Sequence, residues 1–418
     1  MPEQLLPEAE TLNLQPAPPA NPALTILILS LAPTIGIGIA RFGYALVLPD
    51  MRDSLQWSYS AAGFMNTINA AGYLFGALGT AALVRKFGLF DAVRLGVLAC
   101  VLSLALCAIT SNFVILSFAR LLAGAGAAFG FIAGGALAAH IAQAHPTRSA
   151  FLLGLYYGGP GIGIIVSGIA APYLLQTIGP GSWPMIWAAF AIISLALGLI
   201  MTMKRIDTPP ATDSKAVTRI SLSKIWTYLF AYFCFGAGYI AYMTFMIAYI
   251  RGVGGSVWAQ SIFWCLIGLG TIASPWLWRG LLARGQSGMT LAILLAVNAA
   301  AAALPLLGTS PLILAVSAFV FGSVLFTMVG ATTTFAQFNY PAATWPKAIA
   351  VMAIVFGIGQ TIGPIAIGAI GDLLGSLNSA LTVSAAALVV GAIAACFQRR
   401  LTSDETTNDH IASNQRPL

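Results

Sequence analysis

The sequence predicts an all-α membrane protein: twelve transmembrane helices in two six-helix halves. Three observations carry that prediction. Of 418 residues, 59% are hydrophobic and only 7% charged, against about 25% charged in a typical soluble domain. So little polar surface leaves lipid as the solvent. Apolar runs long enough to cross a hydrocarbon core of about 30 Å recur twelve times, and one long polar stretch, residues 204–223, divides them six and six. The runs are too long and too continuous for the short alternating strands of a closed barrel, the other architecture that satisfies its backbone in lipid.

Taken in order, residues 1–23 hold six prolines, three glutamates and no Lys or Arg. A secretory signal needs a basic start, so this stretch reads as a disordered cytoplasmic tail. The spans follow at 24–48, 58–84, 89–110, 113–142, 149–178 and 183–203, which make the N-terminal half (24–203). After the cytoplasmic linker 204–223 come 224–250, 256–279, 288–308, 311–335, 346–371 and 376–397, the C-terminal half (224–397). The breaks are marked by Pro, Gly, Asn or charge, as in "PDMRDSLQW", "AHPTR", "GPGSWP" and "FNYPAATWP". Residues 398–418 read as a second polar tail.

Lys and Arg set the orientation. With both termini cytoplasmic, inner loops and tails hold fifteen of the nineteen basic residues, and outer loops hold only Arg52 and Arg251. The remaining two, Arg41 and Arg120, lie inside spans. The net charge of +7 is therefore topological and asks for no nucleic acid. Cys100, Cys107, Cys234, Cys265 and Cys396 are scattered through separate apolar runs, which is neither a disulfide framework nor a metal spacing. The three histidines form no metal spacing either, so no metal or cofactor is expected.

The halves echo each other. The fifth span carries "GLYYGGPGIG" and the eleventh "GIGQTIGPIAIG"; their pairs Gly159-Pro160 and Gly363-Pro364 are 204 residues apart. Matching small-residue and proline sites in two halves suit the flexing points of a transporter that rocks about a midplane site. In "LSFARLLAGAGAAFG", Leu116, Arg120, Gly124 and Gly126 resemble the buried-arginine motif of the major facilitator superfamily, with Ala123 in place of the usual Gln. The Gly-Pro stretch of the fifth span resembles the motif of that superfamily's antiporters, with Ile164 where a second glycine is usual. The second-to-third loop, "ALVRKFGLFDAVR", keeps Lys86 and Gly88 but has Arg85 at the acidic position. "ARFGYALVLPDM" followed by "NAAGYLFGALG" is most similar to the YbfB/YjiJ-type branch. The resemblance covers nearly all of 24–397 and implies a monomeric secondary transporter, working by alternating access in a bacterial cytoplasmic membrane.

Site candidates come from the polar groups that lipid makes costly. Arg41 stands about 10 Å below the expected outer end of the first span, and a charge at that depth marks a functional site by default. Arg120, Asn66 and Asn69 reach a similar level, and Asn66, Asn69 and Tyr73 share one helical face. Arg120 either ties neighbouring helices together through their carbonyls or touches ligand. Tyr44 lies close to Arg41 in sequence, and the second half offers Tyr239, Tyr242, Trp264 and Gln360 at similar depth. No Asp or Glu falls within the interior of an expected span; Asp372 is at an outer end. Two buried cations without a carboxylate suit a small organic anion, above all a carboxylate, which matches the two-pronged guanidinium. Coupled protons would then travel with the substrate or bind Asp50, Asp53 or Asp372. Efflux of amphipathic compounds by antiport is the alternative. A membrane-embedded enzyme would want a His/Asp/Glu cluster and a sensor a soluble output domain, and the sequence offers neither.

Overall fold

A computed structural model describes residues 21–203, 205–206, 223–341 and 344–401. Residues 1–20 and 402–418 of the expected tails, and most of the polar linker, lie outside the described residues. Among the described residues, twelve helices are long and apolar enough to span a membrane: α1 (Pro22–Leu55), α2 (Tyr59–Phe87), α3 (Leu89–Ile109), α4 (Phe113–Gln143), α5 (Pro146–Ile178), α6 (Trp183–Thr202), α7 (Ser223–Gly252), α8 (Val257–Leu277), α9 (Met289–Leu307), α10 (Pro311–Asn339), α11 (Lys347–Leu374) and α12 (Leu377–Cys396). Side-chain caps mark several starts: Ser58 for α2, Asn112 for α4, Ser256 for α8 and Ser310 for α10 accept from the first free amides. The face at which α1 begins is called terminal below, and the opposite one distal.

The first helix departs most from expectation. It runs through "PDMRDSL", assigned above to a loop, and stops only at Gln56 in the left-handed region, φ 54°. The cause is Asp50, whose carboxylate accepts from the amides of Gly181 (2.7 Å) and Trp183 (2.9 Å) at the start of α6. Those amides have no partner within their own helix, and their positive end favours an anion. Asp50 is buried, with 2% exposure, so the expectation that no span encloses a carboxylate fails here. The group is nonetheless about 13 Å along the helix from Arg41 and committed to a cap.

Within the first half, helix backbones meet directly. At Gly72 of α2 any side chain would strike the Leu121 carbonyl, and at Gly124 of α4 the Asn69 carbonyl. Without a hydrophobic force between helices in lipid, such close approach is what dispersion needs.

The halves touch along α2–α11, α5–α8 and the distal part of α1 against α7. On the distal side they are shut. Gly63 abuts the Pro364 carbonyl, Gly368 abuts Tyr59, and Thr67 donates to the Thr361 carbonyl at 2.7 Å. At the end of α11, Asp372 accepts from the amides of Tyr59 and Ser60, both at 2.8 Å, and from the Ser60 hydroxyl. A carboxylate from one half thus caps the helix N-terminus of the other. Arg251 of α7 adds an ion pair with Asp53 of α1 at 3.0 Å. On the terminal side a cavity of about 330 Å³ separates the halves, between Leu153 and Tyr157 of α5, Pro275 of α8 and Thr333 and Thr334 of α10.

The distal clasp should therefore depend on the Asp372 charge. With the native cysteines removed, a cysteine at Thr67 is expected to react slowly with a polar thiol reagent in detergent. Asp372→Asn should speed that labelling by about ten-fold, the equivalent of one charge-assisted bond lost from the closed state. An unchanged rate would place the closure entirely in the backbone contacts.

Candidate functional site

Residues Thr34–Phe42 of α1 are wound as a π-helix, with i→i+5 hydrogen bonds, before the α-helix resumes at Tyr44. Such segments are rare and concentrate at functional sites. This one is packed on backbone: a methyl at Gly36 would meet the Cα of Ala127 at 2.9 Å, and one at Gly38 would meet the Pro160 carbonyl of α5 at 2.6 Å. Arg41 stands at its end. Because α1 continues to Leu55, Arg41 lies 14 residues, about 21 Å, from the distal end of the helix. It is at the middle of the span, deeper than the sequence estimate.

Arg120 accounts for the backbone there. Its Nη1 donates to the Ala40 carbonyl at 2.6 Å and its Nη2 to the Arg41 carbonyl at 3.2 Å, where the two helix windings join. Nη2 also reaches Asn66 Oδ1 at 3.4 Å. The guanidinium carbon lies 4.8 Å from the Tyr44 ring centroid and 5.7 Å from that of Trp187, a cation–π shelter. Arg120 is 2% exposed. It sets the position of Arg41 from behind.

Arg41 itself reaches across to the second half. Its Nη2 donates to Gln360 Oε1 of α11 at 2.5 Å, and Tyr239 of α7 donates to the same oxygen at 2.9 Å. The guanidinium carbon lies 4.8 Å from the Tyr73 ring centroid. Tyr239 and Gln360 converge because α7 and α11 meet at glycines: Gly236 abuts the Phe356 carbonyl, Gly359 the Phe233 carbonyl and Gly363 the Ala237 carbonyl. These four side chains edge a cavity of about 50 Å³ whose other walls are apolar, including Ile37, Phe42, Phe235 and Phe356. Phe235, Tyr239 and Phe356 form an aromatic stack, with centroids 4.9 Å and 5.6 Å apart along it. Toward the terminal face, Phe131 of α4 and Phe326 of α10 meet at 6.1 Å and wall off the 330 Å³ cavity, which shares both residues. Phe326 sits at a break in α10, between Leu325 and Thr327.

Of the candidate ligand contacts, Arg41, Tyr73, Tyr239 and Gln360 are brought together at this cavity, and the others are engaged elsewhere. Tyr44 donates to the Ala62 carbonyl at 2.7 Å. Asn66 donates across the halves to Thr244 at 2.5 Å, and Asn69 to the Arg120 carbonyl at 2.9 Å. Tyr242 pairs with Ser317 at 2.6 Å and stacks on Phe321. Trp264 packs against Gly168 between α8 and α5. The physical reason is common to the four that bond, whereas the Trp264 indole nitrogen is buried without a hydrogen-bond partner. A buried polar tip takes the nearest acceptor, and depth in the membrane does not say on which side of the helix that acceptor stands. The Gly-Pro pairs differ from each other. α5 is interrupted at Gly158, just before Gly159 and Pro160, where the proline lacks an amide, whereas α11 runs unbroken through Gly363 and Pro364. The phenylalanines of the wall were not singled out from the sequence. Their signal is the i, i+4 spacing of Phe235 with Tyr239 and of Phe356 with Gln360.

Arg120→Ala should lower the melting temperature of the empty protein by several degrees, because it strands two buried carbonyls at about 1–3 kcal/mol each. Arg41→Ala should leave it near that of the wild type, since Gln360 Oε1 keeps its bond from Tyr239. Equal losses in the two variants would contradict the division of labour between the arginines.

A family model described as "Uncharacterised MFS-type transporter YbfB" matches residues 33–396. No protein of curated function matches the chain in sequence. Among solved structures, a mutant of the nucleoside transporter NupG superposes with a TM-score of 0.66 at 14% identity, over 90% of this chain and 99% of that one. A bacterial homologue of the human lysosomal transporter Spinster, in an inward-facing and occupied conformation, gives 0.65 at 16% identity, over 95% and 98%. At such identities the likeness is one of fold: the twelve-helix major facilitator architecture. The match over 33–396 carries the family, and with it the class of a multi-pass membrane transporter rather than an enzyme: the chain belongs to the YbfB-type family of major facilitator superfamily transporters.

Proposed function

We propose that the protein moves a small organic anion, a carboxylate, across a bacterial cytoplasmic membrane by alternating access. The observation that carries this reading is Arg41: a guanidinium 3% exposed at mid-membrane, edging a cavity, whose side-chain partners there are the neutral Gln360 and the rings of Tyr73 and Phe42. An uncompensated cation in low dielectric favours an anionic ligand, and its forked donors fit two carboxylate oxygens. A cationic ligand is disfavoured by the same charge. With Asp50 capping α6 and Asp372 capping α2, a coupled proton is best carried on the substrate itself. Tight distal contacts and a terminal-side cavity correspond to a state that opens toward the terminal face, and Phe131 and Phe326 form its thin inner barrier.

The alternative, antiport of amphipathic compounds, draws on the aromatic wall and shares the cavity; the sign of the ligand separates the two. In thermal-shift measurements on purified protein, organic monoanions should raise the melting temperature and amphipathic cations should not. Arg41→Ala should abolish the anion response. Arg41→Lys keeps the charge but loses the fork, and should lower transport by about ten-fold or more, the equivalent of one charged hydrogen bond. Stabilisation by cations alone would overturn the anion reading.

The Lys/Arg distribution supports a cytoplasmic terminal face. Cysteines at Ser54 and Val253, both exposed at distal helix ends, should then react with an impermeant thiol reagent added to intact cells. One at Ala283, exposed between α8 and α9, should react only after the cells are opened. The reverse pattern would invert the topology.

A further inference from the structure

We propose that Gln360 is a built-in stand-in for the substrate's carboxylate, which the arriving anion displaces from Arg41. The proposal rests on the anion reading of the site and adds what the empty site does in its absence.

Three features point to this role. Gln360 Oε1 takes two donors at once, Arg41 Nη2 from the first half and Tyr239 OH from the second. That is the environment of a carboxylate oxygen, filled by a neutral amide of the same planar shape. The amide is 1% exposed, and its Nε2 is buried with no hydrogen-bond partner. Buried polar groups are nearly always satisfied, so an orphan donor on the wall of a cavity is an unfilled half of a site. The Arg41–Gln360 bond is also a polar tie between the halves at the level of the cavity, whereas Asn66–Thr244 and Thr67–Thr361 lie nearer the distal face.

A carboxylate brings two acceptor oxygens where the amide offers one. When one of them takes the Arg41 and Tyr239 donors, the displaced amide is free to give Nε2 to the other. Arg41 Nη2, Tyr239 OH and Gln360 Nε2 then each have a carboxylate oxygen, Gln360 Oε1 gives up its two bonds in exchange, and the direct tie between Arg41 and Gln360 becomes a tie through the ligand. Binding is an exchange of partners, with no protons or covalent bonds changed. A neutral isostere gains nothing from this exchange, because its amide group only replaces one amide by another. Apart from Tyr73, the rest of the lining is apolar, with rings of Phe42, Phe235 and Phe356. The ligand class is therefore a compact monocarboxylate with a flat, apolar body, and a second charge would find no partner.

Gln360→Glu tests this by attaching the carboxylate to the protein. Benzoate is the probe, benzamide its neutral isostere and acetate the arm without a flat body. In the wild type, benzoate should raise the melting temperature, acetate less so and benzamide not at all. Empty Gln360→Glu should melt above the empty wild type and give no benzoate shift, and adding Arg41→Ala should erase that gain. Mere repulsion between Glu and benzoate would also remove the shift, so a second readout is needed. A cysteine at Leu153, on the wall of the terminal cavity, should label at one rate in the empty wild type and at another with saturating benzoate. Empty Gln360→Glu should show the benzoate-bound rate. If it labels like the empty wild type, or melts lower, or still responds to benzoate, the stand-in role is wrong. A labelling rate that benzoate leaves unchanged in the wild type would equally remove the coupling claimed here. Failure of the wild type to respond to any anion would instead sink the anion reading.

Discussion

A guanidinium keeps its charge in the middle of a bilayer only if its donors find acceptors, and the two arginines buried among the described residues are organised by that requirement. Arg120 draws on main-chain carbonyls, Ala40 and Arg41, at the joint between two helix windings. Arg41 draws on a side-chain amide from the opposite half. The first solution is permanent, because a carbonyl in a helix has nowhere else to go. The second is conditional, because an amide can be exchanged for a better acceptor. From one constraint come both a fixed scaffold and a replaceable bond, and the replaceable one faces the cavity.

How much of this the sequence discloses depends on the range of the forces involved. The twelve spans are legible because hydropathy sums over about 20 neighbouring residues and needs no tertiary partner. The true end of α1 is not, since the helix is prolonged by an Asp50 whose partners, Gly181 and Trp183, are more than 130 residues away. Counted from a helix end at Leu48, Arg41 lies about 10 Å deep, and counted from Leu55 it is central. Asn66, Asn69 and Tyr73 do share a face, yet Asn66 bonds Thr244 of α7 and Arg120 of α4, Asn69 bonds only α4, and of the three Tyr73 alone reaches the cavity. Arg120 could not be assigned from letters, because its acceptors are main-chain oxygens that every residue carries. Gln360 was visible as an isolated polar group at the right depth. The aromatic walls around it were not, because phenylalanine in a span is ordinary until its neighbours are known.

The two sides of the cavity are closed by different chemistry. The distal side joins backbone to backbone at glycines and adds a carboxylate on a helix end. On the terminal side the rings of Phe131 and Phe326, with Val329, stand between the two cavities. Aromatic rings turn aside on rotamer timescales, while helix contacts yield only when whole helices move. Access to the cavity from the terminal side would ask for small motions of Phe131 and of the interrupted α10, and access from the distal side for rearrangement of the halves. α2 connects the levels, since one helix carries Ser60 at the clasp, Asn66 at the cross-half bond and Tyr73 under Arg41.

The π-wound segment of α1 also says something about how such a site can change. An i→i+5 winding accommodates residues that an α-helix would place further along and around its axis. Each residue of an α-helix turns the chain by about 100°, so the loss of a single residue between Thr34 and Phe42 would swing Arg41 away from Gln360 by roughly that angle. Arg120 would then face different carbonyls. Insertion and deletion, which ordinarily ruin a membrane helix, here amount to a dial for the direction of one charge. Redirecting the guanidinium by such a step, with the remaining eleven helices untouched, is a short path from one ligand geometry to another.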